Sequence, residues 1–123
     1  MKYFLFLSSV LFFSCQGGKK SGSEGQPPAS PLPECVQKLI DTLGKQEPPD
    51  LPIKVDEYLY KGKTVYLFTA DCCDRYDLLF DGNCQHLCAP SGGFTGGGDN
   101  KCPDFEKEAK LVKELWRNPK QKK

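Results

Sequence analysis

Seven cysteines and a single histidine, His86, are the residues from which most chemistry in this chain would have to be built. Thiolates act as nucleophiles, metal ligands or disulfide partners. Cys84, His86 and Cys88, with Cys72 and Cys73 upstream, contain enough soft ligands for zinc. Their spacing is irregular, with no paired Cys-x-x-Cys, which argues against a zinc site and against a thioredoxin-like exchange centre. A Ser-His-Asp site would have to use His86, and no local signature marks a serine. The glycines of residues 92–98 invite a phosphate cradle, but a P-loop needs Gly-Lys-Ser/Thr opening a helix. Here Gly98 is followed by Asp99, Asn100 and Lys101, and an acidic residue at that point repels phosphate. Asp71, Asp74, Asp77, Asp81, Asp99 and Asn100 could offer oxygen ligands to calcium, although their order does not follow the EF-hand pattern. Aspartates also favour turns for their own sake. The expectation is therefore no catalytic residue, no metal and no cofactor.

One cysteine stands apart. Lys2 is followed by an eleven-residue apolar run, Tyr3 to Phe13, interrupted only by Ser8 and Ser9. A membrane span needs about 20 apolar residues, whereas an export signal needs an apolar core of about 7–15. Ser14 is small and Cys15 comes next. This stretch resembles the bacterial lipoprotein signal, in which cleavage precedes a cysteine that then receives diacylglyceryl and acyl groups. The match lies at Ser14 and Cys15; upstream, Phe12 and Phe13 replace the commoner leucine and small residue. The resemblance implies a signal peptide over residues 1–14 and lipid on Cys15. Two or more acyl chains make membrane attachment durable.

The other six are Cys35, Cys72, Cys73, Cys84, Cys88 and Cys102. An even count in a short exported domain is the mark of a disulfide framework. Cys88 and Cys102 flank the glycine-rich stretch and could close it. Cys72 and Cys73 are adjacent, and a bridge between neighbours forces an awkward ring, so they are expected to share Cys35 and Cys84 in an order left open. Each bridge is worth about 3–4 kcal/mol, which matters in a domain too short to build a large core.

The elements that must position these residues are partly legible. Residues 16–33 are Gly, Ser, Lys, Gln and Pro with almost nothing to bury, and read as a linker. Eighteen such residues average roughly 20–25 Å end to end. Cys35, Val36, Leu39, Ile40 and Leu43 fall on one face of a helix from Glu34, with Pro33 at its start and Gly44 as its stop. Residues 55–60 and 63–69 are rich in β-branched and aromatic side chains, and Lys61-Gly62 makes a tight turn between them. Residues 71–98 read as loop. From Phe105, the apolar residues Ala109, Leu111, Val112, Leu115 and Trp116 share one side at 100° per residue, which predicts a docked surface helix. The expected class is α+β: a disulfide-rich domain with an antiparallel hairpin flanked by an N-terminal and a C-terminal helix. The expected organisation is a signal over 1–14, a lipid-anchored linker over 15–33, the domain over 34–118, and a basic tail over 119–123.

Charge excludes some partners. Without residues 1–14 the chain carries 16 basic and 16 acidic residues, which gives no argument for nucleic acid. Between Pro33 and Asn118 there are 11 basic and 15 acidic residues, so the folded part is mildly acidic.

The run Val55-Asp56-Glu57-Tyr58, Lys61-Gly62-Lys63-Thr64-Val65-Tyr66, Cys72-Cys73-Asp74, Cys84, Cys88-Ala89-Pro90-Ser91-Gly92-Gly93, and Cys102-Pro103-Asp104-Phe105 resembles a domain of unknown function found in small lipoproteins of gram-negative bacteria. The resemblance covers nearly all of residues 34–117. It implies export and a single compact domain, and it transfers no catalytic residue. The functional expectation is a lipoprotein of the cell envelope, in the cell membrane or outer membrane, with the domain in the periplasm or at the cell surface. That domain would act by non-enzymatic binding or structure, with the membrane and an envelope protein as partners. Two alternatives are a protease-inhibitor-like module presenting the loop between Cys88 and Cys102, and a calcium-dependent binding module.

Overall fold

The computed structural model describes residues 31–72 and 74–121. The signal, Cys15, most of the linker and Cys73 lie outside the described residues. The chain forms helix α1 (Glu34–Gly44), strands β1 (Lys54–Tyr60), β2 (Lys63–Thr69), β3 (Tyr76–Asp81) and β4 (His86–Gly92), a single-turn helix α2 (Phe105–Glu108), and strand β5 (Lys110–Arg117). The strands make one antiparallel sheet in the order β4-β3-β2-β1-β5.

The β1–β2 hairpin and α1 form where the sequence places them. Lys61 and Gly62 both have positive φ, 49° and 75°, the backbone of a tight hairpin turn whose twist suits the strands. In α1, Val36 and Ile40 are buried one turn apart on the helix face that meets the sheet. They pack with Val55, Tyr66 and Phe68. The opposite sheet face carries Tyr60, Val65, Leu67 and Leu79, covered by Cys102 and Phe105. This two-sided cover explains why Val65, Tyr66, Leu67 and Phe68 are buried in unbroken succession.

Two expectations about the secondary structure fail. The first is the C-terminal helix. Only Phe105–Glu108 is helical, and Lys110–Arg117 is a strand paired with β1. The expected hairpin flanked by two helices is therefore replaced by a five-stranded sheet with one short helix and one tiny one, a small β-rich domain. The cause is visible in the register: Val55 pairs with Trp116, Asp56 with Glu114, Glu57 with Lys113, and Tyr58 with Leu111. Leu115 and Val112 are extra residues at two irregularities in the ladder. Each bulge breaks the alternation of sides, so apolar residues fall at 111, 112, 115 and 116, a helical spacing. The second failure is the expected loop over residues 71–98, which contains β3 and β4. Tyr76, Leu79 and Phe80 supply the strand character, while the turn-forming Asp77 and Asp81 are absorbed by specific hydrogen bonds.

Asp56 is buried within the sheet, 1% exposed. The Lys54 ammonium lies 2.6 Å from its Oδ2. That ammonium is off the line of a strict hydrogen bond, leaving Oδ2 without an aligned donor, so the contact compensates the buried charge as an ion pair. The Asp56 contact in turn holds the Lys54 ammonium above its ordinary pKa.

Cys35, at the start of α1, is bonded to Cys84 in the β3–β4 turn, with Cα atoms 5.8 Å apart. The expected sharing of Cys35 and Cys84 between Cys72 and Cys73 does not occur, because α1 lies across the sheet with its first turn beside the β3–β4 turn. Cys72 is exposed and also disulfide-bonded. A second bridge joins Cys88 to Cys102. By strand direction, the β1–β2 and β3–β4 turns occupy one end of the sheet. Residues 70–72 and 74–75 and the loop after β4 occupy the other. The Cys35–Cys84 bridge and the glycine loop are therefore at opposite ends, separated by the seven residues of β4, roughly 23 Å of strand.

Candidate functional site

The glycine-rich loop after β4 displays the most exposed large apolar side chain among the described residues, Phe94, which is 95% accessible. The backbone beneath it is locked. The amide of Gly93 donates to the Arg75 carbonyl at 2.8 Å, and the amide of Gly96 donates to the Gly93 carbonyl at 3.0 Å. Gly92 donates to Gly96 at 3.1 Å, Gly98 to Gly92 at 3.0 Å, and Asp99 to Ala89 at 2.8 Å. The loop turns back on the outer edge of β4 and satisfies part of it.

Three glycines are required by this path, Gly92 among them with φ 78° and a Cβ position 2.3 Å from the Arg75 carbonyl oxygen. Gly93 has φ 75° and lies against the Tyr76 ring, where a Cβ would come within 2.4 Å of Cε1. Gly98 has φ 73°, and a Cβ there would be 2.1 Å from the Ala89 carbonyl oxygen. A side chain at any of the three positions meets both a left-handed backbone and a collision.

Both stems of the loop are fastened. On the β4 side, the Asp77 carboxylate accepts from the Ala70 amide at 2.8 Å and from the Ser91 hydroxyl at 2.7 Å. On the far side, Cys102 is bonded to Cys88. Beyond it, Tyr60 donates its hydroxyl to Asp104 Oδ1 at 2.6 Å, and the Lys61 ammonium lies 2.5 Å from Oδ2. Lys61 first, then Tyr60, holds the Asp104 carboxyl below its usual range. The same contact pushes the Tyr60 hydroxyl and the Lys61 ammonium up. Phe105 then packs edge-on against Tyr58 and Tyr60, with centroids 5.1 and 5.3 Å apart. Beside the loop, Tyr76 and Leu78 line a shallow groove with Leu39, Leu43 and Phe80. Arg75 at its rim is ion-paired with Asp50 and Asp71.

The other candidate chemistry disperses. Cys84 and Cys88 are oxidised in different bridges, so their sulfurs do not meet His86 as a zinc set. His86 lies edge-on to Phe80, with centroids 5.6 Å apart. Among the described residues, no three His, Cys, Asp or Glu side chains are grouped to hold a metal ion. Asp81 accepts from the amides of Asn83 and Gln85, and Asp99 from that of Lys101. These are turn-closing roles that compete with calcium ligation, the alternative use of these carboxylates. The glycine loop does not cradle an anion: several of its amides are spent on its own backbone.

Sequence reasoning passed over Phe94 and the Tyr60, Lys61 and Asp104 cluster. The signal for Phe94 was a lone large apolar residue among five glycines between two cysteines. No such signal existed for the cluster, whose members are 44 residues apart. Residues 93–96 also form a tight turn and do not lie extended, as a segment threaded through a protease cleft must.

Among the described residues, no helix is long and apolar enough to cross a membrane. No curated protein and no solved structure matches the chain. Residues 41–118 match the family described as Domain of unknown function (DUF6970), and on that match the chain belongs to this family.

Proposed function

We propose that this protein is a lipid-anchored lipoprotein of the bacterial envelope whose domain works by binding, without catalysis, and grips its partner with Phe94. The observation that carries the reading is a nearly fully exposed phenylalanine on a loop braced by backbone hydrogen bonds and a disulfide. An ordered loop loses little entropy on binding. Burying a phenylalanine in a partner's pocket contributes about 1.5–3 kcal/mol. The anchor rests on the apolar run ending at Ser14-Cys15. With the tether joining near the Cys35–Cys84 end, Phe94 is presented at the end of the sheet away from the bilayer. The partner is accordingly a protein of the envelope with an apolar pocket the size of one ring.

The test uses a photo-crosslinking residue in place of Phe94 in the full chain in its native cells, with the same residue at Leu111 as control. A discrete adduct from position 94 and none from position 111 is expected. No adduct at 94, or the same adducts from both positions, would sink the binding reading. The anchor is checked by intact mass of the membrane-extracted protein, where diacylglyceryl and acyl mass on Cys15 is expected. An unmodified Cys15 would overturn it.

A further inference from the structure

Cys35 is the first residue of the chain, coming from Cys15, that is covalently fixed to the sheet. It is joined to the turn that opens directly into β4, and β4 leads to Phe94. We propose that the Cys35–Cys84 bridge is a tension strut: pull between the tether and the Phe94 loop passes across it into β4, bypassing α1 and strands β1 to β3. The role of this strut in the cell rests on the tethered-binding reading above. The path itself rests only on connectivity.

That path is short. From Cys84 to Phe94 is ten residues, whereas 49 residues separate Cys35 from Cys84 and are bypassed. β4 lies between β3 and the returning loop at residues 97–99, hydrogen-bonded on both sides. Force between its two ends runs along a backbone that is already extended, so β4 carries it in its covalent chain while the pairing on either side keeps the strand in place. Cys88, midway along the path, is bonded to Cys102 and adds a covalent brace. α1 has no such protection. It is held to the sheet by side-chain packing at Val36 and Ile40 and by the bridge. Without the bridge, tension arriving at Glu34 would act on one end of the helix and peel it away turn by turn.

The test is single-molecule stretching of the full chain, with handles at residue 15 and at an azide-bearing residue replacing Phe94. With the bridge intact, rupture of the domain should release no more than about 35 Å of chain, ten residues at 3.3–3.6 Å each. In Cys35→Ser/Cys84→Ser, release should grow by about 170 Å, from the 49 bypassed residues. It should begin with a separate step of helix length at lower force. Release well beyond about 35 Å with the bridge intact, or the same rupture force in both proteins, would overturn the proposal. Should the variant not fold, the Cys88→Ser/Cys102→Ser chain, reduced while it is held folded at low force, is compared with itself before reduction, so that the loss of Cys35–Cys84 is read without a change at Cys88. Failure of the anchor reading shows separately, as a missing lipid mass on Cys15.

Discussion

The two edges of the sheet solve one problem in different ways. An edge strand offers unpaired amides and carbonyls to any other chain. At β4, the protein covers the edge with its own glycine loop, pins both stems, and uses the cover to hold out Phe94. At β5, no other described strand or loop pairs with the edge, which is irregular, with two bulges, and carries Lys110 and Lys113 along it. Leu111 and Val112 are exposed there, 59% and 55%, on a strand held by its pairing with β1. Partial apolar exposure on a paired strand does not by itself mark a site in this molecule. What separates Phe94 from Val112 is its place at the tip of a closed loop, with nearly the whole ring in solvent.

The contrast can be broken most severely at Gly98. Gly98→Ala puts a Cβ into the Ala89 carbonyl on a left-handed backbone, and should cost roughly 4 kcal/mol in chemical denaturation. Opening the Cys88–Cys102 bridge by Cys88→Ser/Cys102→Ser should cost about 3 kcal/mol for its loop, read by the same method. At the β5 edge, Lys110→Val with Lys113→Val removes the charges that discourage pairing, and light scattering should then show self-association absent in the parent. A smaller effect is expected from Asp104→Asn. The Asp104 carboxyl is held below its usual range, so its clamp is fully present above the unfolded value near 3.8 and is lost as pH falls through the lower folded value. The variant should therefore melt lower than the parent at pH 7, with the difference closing towards pH 2. Phe94→Ser should change stability by less than about 0.5 kcal/mol while abolishing co-purification of the partner that the crosslinker at position 94 identifies. A large loss of stability there would mean Phe94 packs within the fold.

Legibility followed locality. The helix from Glu34 and the hairpin around Lys61-Gly62 are set by spacing and turn chemistry within a few residues, and both could be read directly. β5 could not, because its pattern records two bulges against a partner about fifty to sixty residues earlier. β3 and β4 were hidden by Asp, Cys, Pro and Gly, whose turn character is spent on hydrogen bonds such as Asp77 to Ser91 that only the folded chain reveals. The loop between Cys88 and Cys102 was recognised as a unit. That it is braced, and that Phe94 is its point, depended on contacts with Arg75 and Ala89 that no local pattern announces.

The order β4-β3-β2-β1-β5 also carries a temporal consequence. Four strands form a continuous meander of neighbours, so they can assemble as soon as each emerges. β1, first in sequence, keeps one side open until the last strand arrives. A chain made from its N-terminus thus completes its sheet only when β5 is free, and the slow, non-local closure follows the meander. Trp116, paired with Val55, is the residue whose arrival marks the domain as finished, and its fluorescence should report that final step as a phase distinct from the earlier collapse.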